Sequence, residues 1–203
     1  MRTVLTLIAI LAMLTAPAMA QQLQGKALID ALKEGGYVLV MRHANSPAAL
    51  PDRTTADSAN SNLERQLDAT GRETATAMGQ AFLKMHIPLA VGLSSPSYRA
   101  RETARYAKFM YVSATELDEG PAGMSANAEK VRADFLRSRT NTPPPAHQNK
   151  IIISHAPNIM SAFGKEADGI ASGEVMVFKP GPNVPTLVAR VKIDEWPKLA
   201  AGG

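Results

Sequence analysis

Two histidines of this chain each close a short apolar run. His43 follows Tyr37-Val38-Leu39-Val40-Met41-Arg42, and His155 follows Ile151-Ile152-Ile153-Ser154. Short β-branched runs without polar interruption read as strands buried on both faces, as in parallel sheets. Both histidines therefore stand where a strand stops. In open α/β sheets the crevice beyond the carboxyl ends of the strands is where ligands bind, so two side chains 112 positions apart can meet there. The arginine beside the first histidine, Arg42, stabilises an incoming dianion and opposes a metal cation. Its planar fork of donors suits phosphoryl oxygens. Arg99, at a helix start that follows a strand, adds a second fork together with the exposed N–H groups of that helix. In such an anion cradle one neutral imidazole can attack phosphorus in line while the other donates to the equatorial oxygens, with positioned positive groups stabilising a highly charged transition state. An alkoxide leaving group then needs a carboxylic acid to protonate it.

The elements that must hold these residues follow from pattern. Leu28, Ile29 and Leu32 form a helical stripe within Leu23 to Leu32 that stops at Gly35-Gly36. The polar stretch from Ala44 to Leu67 reads as a loop over the site. Thr70-Gly71-Arg72-Glu73 has capping-box spacing and predicts a helix from Gly71 to Met85, closed by Pro88. A strand is expected over Leu89 to Leu93, then a helix capped by Ser95 with Pro96 at its first position. Met110 to Gly123 reads as irregular, Ala126 to Arg139 as helical, and Lys150 to Ser154 as a strand. Glu174 to Phe178 and Thr186 to Ile193 pair as strands around Pro180-Gly181-Pro182-Asn183, and the tail after Trp196 reads as loose. Strands alternating with helices imply an α/β three-layer sandwich, with a mainly parallel central sheet and helices on both faces.

Composition bounds the rest. Met1-Arg2, the apolar stretch from Val4 to Leu14 and Ala18-Met19-Ala20 have the form of a cleaved signal peptide over residues 1–20. Export to the periplasm or medium is the reading, with residues 21–203 as a single domain and no integral membrane segment after cleavage. The mature chain keeps 21 basic and 18 acidic side chains and, with no cysteine, has neither disulfides nor thiolate chemistry. The basic residues are scattered and aromatics sparse, which speaks against a nucleic-acid partner and for a small anionic one. Two further histidines, His86 and His147, read as solvated or as local caps. Arg65, Arg72, Arg101 and Arg105 read as ordinary charges, with Arg65 close enough to the capped helix to pack near the site.

Leu39-Val40-Met41-Arg42-His43-Ala44 resembles the Arg-His-Gly signature of the histidine phosphatase superfamily, the phosphoglycerate-mutase-like proteins. Leu67-Asp68-Ala69-Thr70-Gly71-Arg72 resembles that family's Leu-Thr-x-x-Gly helix start. Ser95-Pro96-Ser97-Tyr98-Arg99-Ala100 with Thr103 is similar to its Ser-Pro-x-x-Arg-Ala-x-x-Thr block, and Ile153-Ser154-His155-Ala156 to its second histidine block. The resemblance implies a phosphohistidine at His43 and phosphoryl binding by Arg42, Arg99 and His155, with Ser46 contributing from the following loop. No metal or cofactor is implied. Ala44 replaces the family's usual glycine, which requires only an ordinary backbone there. The acid is expected from the loop after the third strand, which offers Glu116, Asp118 and Glu119; Glu174 is an outside candidate, and no acid follows His155. The expected activity is metal-independent hydrolysis of a phosphomonoester, and the alternative is a phosphate-binding protein on the same scaffold without a proton donor.

Overall fold

The computed structural model describes residues 22–121 and 123–202; the leader reading of residues 1–20 lies outside the described residues. Helix α1 (Gly25–Glu34) buries Leu28, Ile29 and Leu32 and ends at Gly35, whose φ of 82° needs a residue without a Cβ. It is followed by β1 (Val38–Arg42), α2 (Ala69–Lys84), β2 (Gly92–Ser94), α3 (Tyr98–Tyr106), β3 (Tyr111–Ser113), α4 (Ala126–Thr140), β4 (Lys150–Ser154), α5 (Ala156–Phe163), β5 (Val175–Lys179), β6 (Thr186–Val191) and α6 (Trp196–Gly202). Among the described residues the strands form one six-stranded sheet in the order β3-β2-β4-β1-β5-β6. The first four are parallel; β5 runs antiparallel to β1, and β6 to β5.

Alternation along the strands divides the core in two. Leu39, Met41, Ile151, Ile153, Val175 and Val177 face α1, α2, α3 and α6. Val38, Val40, Ile152, Met176 and Phe178 face α4 and α5. The three-layer α/β sandwich expected from the element pattern is therefore present, with its parallel strands at the centre. Register then sets the site: β1 and β4 lie side by side with Arg42 opposite Ser154, so His43 and His155, each one residue further on, leave the sheet together.

Several boundaries differ from the sequence reading, each for a physical reason. The cap of α2 is Asp68, whose carboxylate accepts the Gly71 N–H, rather than Thr70; an anionic side chain at the N-terminus outcompetes a hydroxyl already inside the first turn. Ser97, not Ser95, precedes α3: the Ser95 hydroxyl accepts the Ser97 N–H at 3.2 Å, and the first N–H of the helix, that of Tyr98, goes to the Glu64 carboxylate at 2.8 Å. The strand expected at Leu89 starts later, at Gly92, with Leu89 in an isolated bridge to Asn149. The stretch read as irregular holds the edge strand β3. The tail read as loose is α6, whose fully buried Trp196 lies 4.6 Å from the Phe82 ring, centroid to centroid.

Gly71 couples α2 to the loop after His43. An added Cβ there would stand 2.1 Å from the Asn45 carbonyl oxygen, a backbone atom that cannot swing aside. Gly71→Ala is therefore expected to destabilise the protein by about 1–3 kcal/mol in urea denaturation through overpacking. Alanine in an open helix interior would instead stabilise by roughly 1 kcal/mol, so the sign decides.

Candidate active site

His43 is fixed by backbone on both sides: its N–H donates to the Ser154 carbonyl at 3.1 Å, and its own carbonyl accepts from Gly173 N–H at 2.9 Å. Ala44, in the place of the usual glycine, has no positive φ, and its N–H donates to the Thr103 hydroxyl at 3.0 Å, which in turn donates to the Arg99 carbonyl at 2.8 Å. The strand-end loop and the start of α3 are thereby tied together. His155, at the N-terminus of α5, is buried like His43, and the two rings lie 5.3 Å apart, tilted at 59°.

Arg99 lies between them. Its Nε donates to His43 Nε2 at 3.2 Å, and one terminal nitrogen donates to His155 Nδ1 at 3.0 Å. A guanidinium only donates, so both of those imidazole nitrogens carry lone pairs. The proton of His43 is then on Nδ1, donated to the Ala44 carbonyl at 2.8 Å, and that of His155 is on Nε2, 2.8 Å from the Ser95 hydroxyl. Burial above all, with Arg99, Arg42 and Arg65 as further positive neighbours, holds His43 at about 3 despite the Ala44 hydrogen bond that opposes the shift. Burial, then Arg99, His43, Arg65 and Arg42, holds His155 at about 2. Both rings are neutral at neutral pH.

Arg42 donates one terminal N–H to the Ile170 carbonyl at 2.9 Å, and its Nε is buried without a partner, as is the Ser46 hydroxyl. The Arg42 charge acts on both imidazoles, and its unmatched Nε fits the acceptor oxygens of an anion. Arg65, read from sequence as an ordinary charge, reaches the loop after His43, donating to the Pro47 and Ser46 carbonyls at 2.8 Å each. Its charge acts on both histidines. It arrives because Asn45 and Asp68 clamp the loop to the start of α2 with a 2.7 Å hydrogen bond. The one sequence signal for it is its position three residues before that cap. Ser95, expected as a helix cap, and Ser97 and Thr103, to which the sequence assigns no role, have their hydroxyls hydrogen-bonded within the site.

The acids separate sharply. Glu119 pairs with Arg99, and its carboxylate lies 4.0 Å from His155 Nδ1. Asp118 points to Ser95. Glu116 is bonded by the Thr115 hydroxyl, away from the histidines. Glu174 is taken up by Arg190 at 2.7 Å and by the Ala171 N–H at 2.8 Å; burial raises its carboxyl, but these partners outweigh it and hold the group ionised. It serves as a structural staple for the loop that carries Ile170. Beside Glu119 opens a cleft of about 410 Å³ lined by Pro121, Met124, Pro157, Asn158 and Ser161. Among the described residues no three histidine, aspartate or glutamate side chains come together as a metal ion would need, and no helix is long and apolar enough to cross a membrane.

The neutral histidines make stability depend on pH with a definite sign. Each takes up a proton in the unfolded chain near 6.5 but not in the fold until about 3 or 2. Their contribution is fully present above 6.5 and is lost as pH falls towards the folded values, at about 1.4 kcal/mol per pH unit for each group. Urea denaturation from pH 7 to pH 4 should show this decline, and His155→Asn should flatten it by about one proton's slope. An unchanged slope in the variant would contradict the buried neutral assignment.

Comparison with known proteins agrees with this geometry. The family profile of the histidine phosphatase superfamily (branch 1) matches residues 38–143. No curated protein matches the chain. Among solved structures, the protein histidine phosphatase SixA complexed with tungstate superposes with a TM-score of 0.56 at 17% identity, over 78% of this chain and 98% of that one. A phosphoserine phosphatase from Entamoeba histolytica in complex with 3-phosphoglyceric acid gives 0.53 at 14%, over 76% and 95%. At such identities the structures show a shared fold, while the profile spans just over half the chain and takes in His43 and Arg99. The protein belongs to the histidine phosphatase superfamily.

Proposed function

We propose that this protein is a metal-independent phosphomonoester hydrolase that works through a phosphohistidine at His43 and acts on a small phosphorylated substrate outside the cytoplasm. The observation that carries the reading is the commitment of His43 Nδ1–H to the Ala44 carbonyl, which leaves the Nε2 lone pair directed at the arginine-lined cradle. The signal-peptide form of residues 1–20 supports the location.

In the first step Nε2 attacks phosphorus in line and the bond to the ester oxygen breaks. Arg42, Arg99 and Arg65 meet the charge on the equatorial oxygens. Glu119 is the proposed acid, because its carboxylate stands against Arg99 on the side of the open cleft, where a leaving group would lie. When the phosphoryl oxygens take its place on Arg99, the Glu119 carboxylate takes up a proton from solvent, and that proton goes to the departing alkoxide. In the second step the Glu119 carboxylate takes a proton from water, the oxygen attacks phosphorus, and the phosphorus–nitrogen bond breaks to release inorganic phosphate and neutral His43.

Three measurements on the chain from Gln21 onward, all in chelator, test this. His43→Asn should abolish turnover of an aryl phosphate while the protein stays folded. Glu119→Gln should lower kcat by about 10²–10⁴-fold on an alkyl phosphate and by less on an aryl phosphate, whose leaving group needs no proton. Because His43 keeps its free base down to about 3, kcat/KM should not show the roughly 25-fold loss of nucleophile between pH 7 and pH 5 that an imidazole at its ordinary value would suffer. A folded, active His43→Asn protein would overturn the mechanism. Phosphate binding without hydrolysis of any ester would favour the binding-protein alternative.

A further inference from the structure

The far side of the His155 ring leads away from the cradle through a chain of hydrogen bonds. With Nδ1 accepting from Arg99, the ring proton is on Nε2, and it is donated to the Ser95 hydroxyl at 2.8 Å. The Ser95 oxygen also accepts the Ser97 N–H at 3.2 Å, and its own proton has two acceptors in reach, Ser97 Oγ at 3.2 Å and Asp118 Oδ1 at 3.3 Å, of which the carboxylate is the charged one. Asp118 is held for this: Oδ1 accepts the Glu119 N–H at 2.9 Å, and the Asp118 carbonyl accepts from Asn158 at 2.7 Å and from Arg132 at 2.8 Å. The carboxylate is 3.6 Å from His155 Nε2. No step proposed for ester hydrolysis uses it.

The proposed chemistry gives His155 a task that its resting form cannot perform. A phosphoryl oxygen needs a donor, and Nδ1 holds a lone pair. The groups facing the ring are Arg99, Arg42 and Arg65, which oppose a positive imidazole, neutral His43, and the two carboxylates of Glu119 and Asp118. A bound phosphoryl group offsets the arginines, and Asp118 is the counter-charge already connected to the other end of the ring. We propose that Asp118, acting through Ser95, is a positioning residue that enables His155 to accept a proton on Nδ1 from a monoanionic phosphoryl ligand and so to become a two-donor imidazolium. The oxygen–hydrogen bond of the ligand breaks and the Nδ1–hydrogen bond forms. The ligand becomes a dianion, the ring a cation, and total charge is conserved. Nδ1–H then donates to the phosphoryl oxygen while Nε2–H stays on Ser95.

The inference rests on the phosphatase reading for the identity of the ligand but not on turnover, so the two can fail separately. The probe is inorganic phosphate, at a mildly acidic pH where much of it is the monoanion. The readout is the pair of ring ¹⁵N resonances of His155 in histidine-labelled protein, assigned by comparison with His155→Asn. Phosphate should convert His155 of the parent from the one-proton to the two-proton pattern. Asp118→Asn, which keeps shape and removes charge, and Ser95→Ala, which cuts the chain while leaving the carboxylate, should each hold the ring neutral in the phosphate-bound state. Each should also weaken phosphate binding by roughly tenfold, the scale of one charge-assisted hydrogen bond. Unchanged His43 resonances in the free variants show that the fold survives. A ring that stays neutral in the phosphate-bound parent, or that gains its proton equally in both variants, overturns the inference. Phosphate-dependent protonation without ester turnover would instead sustain it and overturn the hydrolase reading.

Discussion

One guanidinium, that of Arg99, organises the site. It is 7% exposed and donates to both imidazoles, which forces each to present a lone pair and fixes the opposite ring nitrogen of each as the protonated one. Such a buried cation is tolerable only if its donors are matched, and the matches come from three places: the ends of β1 and β4, and the loop that brings Glu119. The strand order β2-β4-β1 is what makes this geometry available. Neighbouring parallel strands end at the same level, so the residues just beyond them, Ser95, His155 and His43, meet with almost no help from flexible chain. The arginine arrives on α3, the helix that follows β2. Its carbonyl, through Thr103, fixes the backbone of Ala44.

What the sequence made legible is the part that depends on repetitive burial. The runs Val38 to Met41 and Ile151 to Ile153 are wholly buried, and a continuous apolar run has one structural reading in a sheet covered on both faces. The strand-end placement of both histidines, and of Arg99 near the start of a helix, followed from it. The remainder depended on partners distant in the chain. β3 is an edge strand of three residues with Val112 exposed, so no alternation marks it. α6 has seven residues and forms around Trp196, whose burial against Phe82 on α2 no local pattern could announce. Ser95 looks like a helix cap because serine favours caps, and only the approach of His155 shows why its hydroxyl is occupied. Arg65 is a loop residue whose place is set by the Asn45–Asp68 clamp.

The same dependence explains why three acids in four residues could not be told apart by type. Thr115–Leu117 is a single 3₁₀ turn that fully buries Leu117, and it ends at Asp118, which is extended with φ −72° and ψ 153°. In extended chain successive side chains leave in opposite directions. Once Leu117 is sunk in the core and the Asp118 carbonyl is held by Asn158 and Arg132, the Asp118 and Glu119 side chains diverge to opposite nitrogens of one imidazole ring. The carboxylate on the Nδ1 side meets Arg99 and the open cleft; the other reaches only Ser95 and the far edge of the ring. Two chemically equivalent acids thus receive different surroundings from a single backbone turn.

That division also sets how the cradle can respond to a ligand. A phosphoryl oxygen is a stronger acceptor for a guanidinium than a neutral imidazole nitrogen is, because both partners are then charged. On the proposed reading, an incoming phosphoryl group competes with His43 Nε2 and with Glu119 for the Arg99 donors. Drawing those donors away exposes the His43 lone pair and frees the Glu119 carboxylate together, while the backbone hydrogen bonds that hold His43 are untouched. On the proposed hydrolase reading, Arg99 thus couples anion binding to release of the His43 Nε2 lone pair. Lysine, with one compact charge in place of a rigid fork, could not face both rings and the carboxylate at once.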